Sequence, residues 1–471
     1  MSGEAETRLV NKAFRFRIYP TPEQARAMSG TMASCRFVYN HFLRERIDAY
    51  ERTRETVRRP RVVSGELDPS GREVWARDDD GKVIYDEVPN ESYDPDARPL
   101  SYFDTSKALT QLKRTLVGED GRRWLYEADS VALVYSLRHL DNAYKMFFKR
   151  VKKGGAGGFP RFKPRGSVRS YTTKAKPSCL VRDADGAVTH IQVPKVGDVR
   201  VVAHRDPEGT PYAMTVSSRP DGRWFVSIAC KDVPTEPLEP RDDMVGLTLG
   251  ISPWVVTSDG EVFESNKRLR KMLKRLAREQ RRLSRKVGAR KGEEKSANFL
   301  KQRQRVARIQ SRIADQRLDD THKLTRALVD EHGVIVTRET GLADMIATDG
   351  GARGDIPNVA RRNINRALSD SNLAEVNRQL AYKSEWAGRG FVCVPGDLPT
   401  AQTCTACGYK NVVVAADIRP TWTCPNCGTV HNRRYNGSVN VLQAGMDYLE
   451  GTSHNVTANR GHGRGVQDES S

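Results

Sequence analysis

Two cysteine pairs, Cys404-x-x-Cys407 and Cys424-x-x-Cys427, separated by sixteen residues, constrain the C-terminal part of this chain more than any other feature. Two residues between thiols let both sulfurs reach one ion. Gly408 and Gly428 follow each pair, where the tight turn needs a positive φ. Four thiolates leave no open coordination position, so the expectation is a structural Zn2+ in a zinc ribbon. No stretch has the apolar length of a membrane span, and no h-region follows the acidic pair near the N-terminus. A cytosolic protein with no membrane partner is therefore expected, and there closely spaced cysteines read as metal ligands rather than disulfides. The other four, Cys35, Cys179, Cys230 and Cys393, stand alone and read as buried structural thiols.

The 471 residues carry 78 Lys and Arg against 59 Asp and Glu, a formal charge of +19. Residues 267–317 hold +16 of it, leaving +3 for the rest. Leu269, Leu273, Leu276 and Leu283 make one apolar stripe at helical spacing, and Val306, Ile309 and Ile313 make another, with Lys291-Gly292-Glu293-Glu294 as the turn between. This reads as a helical hairpin with a narrow packed seam and a basic outer face. A solvated helix pair normally mixes its signs; nearly uniform positive charge points to a phosphate backbone as partner. Residues 61–100 show the reverse bias, with 11 acidic and 5 basic side chains and turn signals at Asp78-Asp79-Asp80-Gly81 and Pro95-Asp96. They read as a solvent-facing insertion. The Gly-, Ser-, Asn- and His-rich tail 451–471 reads as disordered.

Lys12 to Tyr19 alternates basic with aromatic or aliphatic residues, a half-buried strand with a cationic face, and Thr21 is placed to cap the helix after it. Helical patterns occupy 106–116 and 129–149. From Tyr171 to Val233 short strands alternate with turns at Asp183 to Gly186, Pro207 to Gly209 and Asp221-Gly222, which suggests a small antiparallel barrel or sandwich joined by the N-terminal strand. Strands at 245–260, 334–337 and 390–394 and helices at 322–331 and 372–387 form an α/β arrangement with a mixed sheet.

In their joint order, KAFRFRIYPTPEQ, CRFVYN, FPRFK, the basic hairpin followed by HKLTRALV, and the interrupted ribbon resemble TnpB, the transposon-encoded RNA-guided nucleases related to compact type V CRISPR effectors. The resemblance runs from about Lys12 to Leu449. It implies an α/β plus β multidomain chain with a discontinuous wedge β-barrel, a helical recognition lobe, and an RNase H-like (RuvC) domain carrying the ribbon. The expected boundaries are wedge 8–20 and 164–240, and recognition lobe 21–163 with an acidic insertion 56–100. The RuvC-like domain follows at 241–402, with the hairpin 266–317, and ends at 429–450; the ribbon is 403–428.

By the same resemblance the partners are a guide RNA and a double-stranded target DNA with a short flanking motif; base pairing reads the rest. The contacts expected are Lys12, Arg15 and Arg17 on the first strand, Arg161 and Lys163 in FPRFK, and Arg281, Arg282, Arg285 and Lys286 on the hairpin.

Three departures bear on activity. Relatives that cut have G-x-D-L-G in the first RuvC strand; here Gly246-Leu247-Thr248-Leu249-Gly250 puts Thr248 at the acid. The second motif places Arg338 where Glu is usual, and the third, Asn432-Arg433-Arg434-Tyr435-Asn436, places Arg434 at an Asp. Two-metal cleavage needs several anionic oxygens, so no catalytic Mg2+ is expected. Glu339, Asp259 and Asp344 are the nearest substitutes, and none falls on the motif. Arg338 and Arg434 either neutralise a DNA phosphate, or point to solvent or pair with Glu339. The expectation is a nuclease-inactive, RNA-guided DNA-binding protein that represses transcription by occupying its target or meets the transcription machinery there. The alternatives are an endonuclease with displaced carboxylates and an inactive transposon relic.

Overall fold

The computed structural model describes residues 7–67, 73–78, 83–152, 154, 158–264, 267–286, 295–339, 371–415 and 420–451. Asp344, the turn at 291–294, residues 79–81 and the tail from 452 lie outside them. Two compact units divide the chain, 11–233 and 1–10 with 234–471.

The first unit is built on strand β1 (Arg8–Tyr19) and helix α1 (Pro22–Arg52). Phe14, Phe16 and Ile18, alternate residues of β1, are buried. Thr21 accepts from the amide of Gln24 while the Gln24 side chain accepts from the amide of Thr21, a capping box that ends β1 and starts α1. The acidic segment is more ordered than its turn signals suggested. It holds β2 (Thr56–Pro60), β3 (Val62–Leu67), β4 (Glu73–Trp75) and β5 (Tyr85–Pro89). β2 and β5 pair antiparallel, and the charges around them find partners: Arg61, just past β2, meets Asp86 of β5 at 2.6 Å, and Arg59 reaches back to Glu51 of α1 at 3.4 Å. Helices α2 (Tyr102–Thr115) and α3 (Ser130–Lys152) follow. Then come β6 (Ser170–Lys174), β7 (Leu180–Arg182), β8 (Val188–Val193), β9 (Gly197–Val202), β10 (Thr210–Ser218) and β11 (Trp224–Thr235). They form a seven-stranded sheet in the order β6-β10-β11-β1-β9-β8-β7, with the N-terminal strand inserted mid-sheet as its pattern required.

The second unit carries a five-stranded sheet of β12 (Met244–Leu249), β13 (Val255–Thr257), β14 (Val262–Phe263), β15 (Val334–Arg338) and β16 (Gly390–Val394). Its order is β14-β13-β12-β15-β16; the first three strands run antiparallel and β12, β15 and β16 run parallel. The basic hairpin is α4 (Lys267–Ser284) and α5 (Ala297–Glu331). The two helices expected at the hairpin's second arm and at 322–331 are one 35-residue helix. No Gly or Pro interrupts it, and Val306, Ile309, Ile313, Thr321, Leu324 and Leu328 keep one buried phase throughout. Glu279 is buried in the α4–α5 seam, where its carboxylate accepts from Gln302 Nε2 at 2.8 Å.

Helix α6 (Leu373–Trp386) packs with α5 against one face of the sheet, over Val245, Leu247 and Ile335. Helix α7 (Arg433–Leu449) covers the other, with Val441 against Val336, Val392 and Val394. A Cβ on Gly246 would lie 2.2 Å from the Ser438 carbonyl oxygen, and one on Gly445 2.5 Å from Val336, so α7 can lie this close only because both are glycines.

Candidate metal centre and nucleic-acid interface

The cysteines sit in two matching knuckles. Gly408 and Gly428 both have φ of 74°, and the amides of both donate back to the carbonyls of Cys404 and Cys424 at 2.9 Å. The four sulfurs lie within 4.8 Å of one another, with Cys404 to Cys427 at 3.6 Å and Cys407 to Cys424 at 3.7 Å. Thiolates about 2.3 Å from one tetrahedral ion sit about 3.8 Å apart, so this cluster could bind zinc. Among the described residues it is the one group of three or more His, Cys, Asp or Glu side chains placed to share an ion.

Burial pushes the Cys404 thiol up to about 11, while the hydroxyl and amide of Thr429 draw Cys427 down to about 6. A bound cation would deprotonate all four. Sequence reading missed His431. Its Nε2 lies 3.0 Å from Cys404 Sγ, and its ring meets Trp422 at 4.7 Å between β17 (Thr421–Thr423) and β18 (Val430–Asn432). The signal was present, a histidine four residues past the last cysteine.

Behind the ribbon the chain passes from β18 into α7 without a linker. Asn432 ends the strand, and its side chain caps the helix, accepting from the amides of Arg434 at 3.0 Å and Tyr435 at 3.2 Å. Buried Asn436 donates to the Thr403 carbonyl at 2.8 Å and accepts from the Thr405 amide, and Asn440 donates to the carbonyls of Thr400 and Thr403, both at 2.7 Å. These amides tie the helix to the start of the ribbon.

Thr248, Arg338 and Arg434 converge at the carboxyl ends of the parallel strands. Gly246 is opposite Val336, so two residues on Thr248 stands level with Arg338. Alternation turns both toward α7, and Thr248 Oγ1 lies 3.0 Å from where a Cβ on Gly437 would be. Arg338 Nη1 donates to the Leu398 carbonyl at 3.1 Å and the Thr400 hydroxyl at 3.4 Å. Arg434 Nη1 donates to the Leu249 carbonyl at 3.2 Å and lies over Gly250. Burial lowers the pKa of both guanidiniums, with Arg433 beside Arg434 adding to the effect.

Neither arginine pairs with Glu339, whose exposed side chain lies one residue past β15, and neither projects freely into solvent. Asp259 lies in the β13–β14 turn rather than on the returning strand, 3.3 Å from the Ser258 hydroxyl.

The other basic candidates are scattered. Arg15 and Arg17 are exposed on one face of β1, whereas Lys12, an odd number of residues away, turns to the face of Phe14 and is half-buried. A single cationic face therefore does not include Lys12. Arg161 is exposed and Lys163 half-buried, its ammonium 3.7 Å from the Tyr39 ring centre. Asn40, the last residue of CRFVYN, holds the Lys163 main chain with its side-chain amide: Nδ2 donates to the carbonyl at 2.9 Å and Oδ1 accepts from the amide at 2.8 Å. Arg281, Arg282, Arg285 and Lys286 are all exposed; Arg282 pairs with Glu279 at 2.9 Å, and the last two lie just beyond α4.

Three family profiles match the chain: "Helix-turn-helix domain" at residues 10–55, "Probable transposase" at 226–346 and "Cas12f1-like, TNB domain" at 374–441. A Streptomyces pristinaespiralis protein named "Putative RNA-guided DNA endonuclease" is 32% identical over 438 residues, covering 93% of this chain and 90% of its own. The chain belongs to the TnpB family. A second TnpB-family relative, "Putative RNA-guided DNA endonuclease InsQ" of Escherichia coli (strain K12), is 30% identical over 443 residues, 93% of each chain. Among solved structures, a Cas12f1-sgRNA-target DNA complex aligns over 92% of this chain and 98% of its own with a TM-score of 0.36 and 11% identity.

Against the acidic triad that the TnpB resemblance implies, this chain sets one neutral hydroxyl and two fixed positive charges. A pair of divalent cations needs several anionic oxygens within a few ångströms and would be repelled by guanidiniums there. Thr248, Arg338 and Arg434 do not fit such ions.

Proposed function

We propose that this TnpB-family chain is an RNA-guided, sequence-directed DNA-binding protein without nuclease activity, which represses transcription by occupying its target. The names of its relatives support the RNA-guided DNA-binding part. The observation that carries the inactive part is the placement of Arg338 and Arg434, each tied to a main-chain carbonyl at the strand ends where the resemblance expects metal-binding acids.

In this reading residues 241–402 and 429–450 form the RuvC-like domain, which the mixed sheet and α7 support. Residues 8–20 and 164–240 form the wedge and 21–163 the recognition lobe. The ribbon holds structural Zn2+, and the exposed basic residues of β1, FPRFK and the α4–α5 hairpin follow guide RNA and DNA backbones. A target held open but uncut would obstruct the transcription machinery.

The second reading, an endonuclease, is favoured by the same relatives, which are named as such. It would have to rely on carboxylates such as Glu339 or Asp259. One experiment separates the readings. RNA co-purifying with the protein is sequenced to define the guide, and the complex is then incubated with matching DNA and Mg2+. Stable binding without cuts is expected; guide-dependent cuts would establish the endonuclease, and an absence of defined RNA would point to a relic.

A further inference from the structure

We propose that Arg338 and Arg434 form a phosphate clamp that grips a DNA phosphodiester at the position where the family's acids would hold metal. The proposal rests on the RNA-guided, non-cutting reading above and adds a ligand chemistry for the altered centre. Both guanidiniums are half-buried, and neither has a carboxylate partner among the described residues. Each is oriented through Nη1 by main-chain carbonyls, which fix direction without supplying a counter-charge. Among the described residues the hydrogen bonds of both guanidiniums run through Nη1 alone.

The surroundings favour an anion in three ways. Thr248 brings a hydroxyl beside the same strand ends, Arg433 adds charge next to Arg434, and α7 starts here with its positive dipole end. Gly250 has no side chain, and any Cβ there would collide with the Arg434 guanidinium, so the arginine occupies space that another residue would fill. Guanidinium forks match phosphate oxygens through paired N–H donors, and no carboxylate among the described residues competes for either fork. A phosphodiester fits better than a carboxylate ligand because the scaffold around it belongs to a family that handles nucleic acid strands.

The test uses the full chain with its co-purified guide RNA and a matching DNA. Affinity is measured from low to high salt for wild type, the Arg338→Gln/Arg434→Gln pair and the Arg338→Lys/Arg434→Lys pair. Each lost phosphate contact should flatten the slope of log K against log salt by about 0.9 for duplex DNA or about 0.7 for a single strand. The Gln pair is expected to lose one to two such contacts and about tenfold in affinity, and the Lys pair to recover most of the slope. Unchanged slope and affinity in the Gln pair would overturn the clamp. So would an equal loss in binding of guide RNA alone, which would make these RNA contacts. If the Gln pair melts early, Arg434→Gln alone is read the same way, at about half the change. Cleavage by wild type in the same samples with Mg2+ would instead overturn the non-cutting reading, so the two failures are distinct.

Discussion

Arg434 lies across Gly250 so closely that its Nη1 would be 1.9 Å from a Cβ added there. The obstacle is the flexible end of a side chain, so Gly250→Ala should displace the guanidinium from the Leu249 carbonyl and leave the fold nearly intact. Gly246, four residues earlier, meets the main chain of α7 instead, the Ser438 carbonyl oxygen at 2.2 Å and the Leu442 amide at 2.6 Å. Gly246→Ala should therefore destabilise by about 3 kcal/mol and Gly250→Ala by less than about 1 kcal/mol. Denaturant unfolding of the two variants gives the comparison, and equal losses would contradict it.

The cysteine cluster predicts one zinc per chain by elemental analysis. Cys424→Ala, which removes a buried ligand, should abolish zinc retention and lower the melting temperature, and chelators should do the same to wild type. His431→Ala should keep the zinc but bind it less tightly, by about 10- to 100-fold, since His431 touches a ligand without being one of the four.

Asn40→Ala removes both hydrogen bonds to the Lys163 main chain. At about 1 kcal/mol each the loss should be about 2 kcal/mol. Nucleic-acid affinity should fall with it, because Arg161 and Lys163 lose their anchor. Asn40→Asp retains the acceptor to the Lys163 amide and should recover part of the stability, which a melting series of the three proteins would reveal.

Lys383 offers a test in pH. Burial between α5 and α6 pushes its ammonium down to about 8, although it donates to the His322 carbonyl at 2.8 Å and the Thr325 hydroxyl at 2.7 Å. With the folded pKa below the ordinary lysine value of about 10.4, the unfolded chain binds more protons between those limits. Stability should thus rise with pH from about 8 to about 10 relative to Lys383→Met, and the difference should be flat below pH 7. Paired unfolding curves at several pH values measure it; a falling difference would contradict the assignment.

Restoring acids tests the altered centre from the other side. The triple variant Thr248→Asp, Arg338→Glu, Arg434→Asp should acquire Mg2+-dependent, guide-dependent cutting of matching DNA, while wild type shows none. Cutting by wild type at the same rate would show that other carboxylates serve.

What the sequence made legible tracks how local the cause is. β16, the cap at Thr21 and the positive-φ glycines of the knuckles follow from short patterns and lie where those patterns put them. Misreadings arose where distant residues decide. The Leu318-Asp319-Asp320 stretch looks like a helix boundary, yet the buried phase from Val306 to Leu328 carries α5 through it. Arg61 and Asp86, 25 residues apart, read as solvated charge until the pairing of β2 with β5 brings them to 2.6 Å. Lys12 shares a motif with Arg15 and Arg17, and only strand alternation separates their faces. The carbonyls that capture Arg338 and Arg434 come from Leu398 and Leu249, remote in sequence from the arginines they hold, and no local pattern announces them.

The joint at Asn432, where β18 becomes α7 with no residue to spare, makes the cysteine cluster and the helix that covers the five-stranded sheet mechanically one piece. His431 is in contact with Cys404 on one side of that joint, and Arg434 reaches over Gly250 three residues beyond. Slack introduced at the thiols would be delivered as a rotation of the helix on its glycine seat. Loss of a cysteine should therefore be felt at Arg434 as well as within the knuckles.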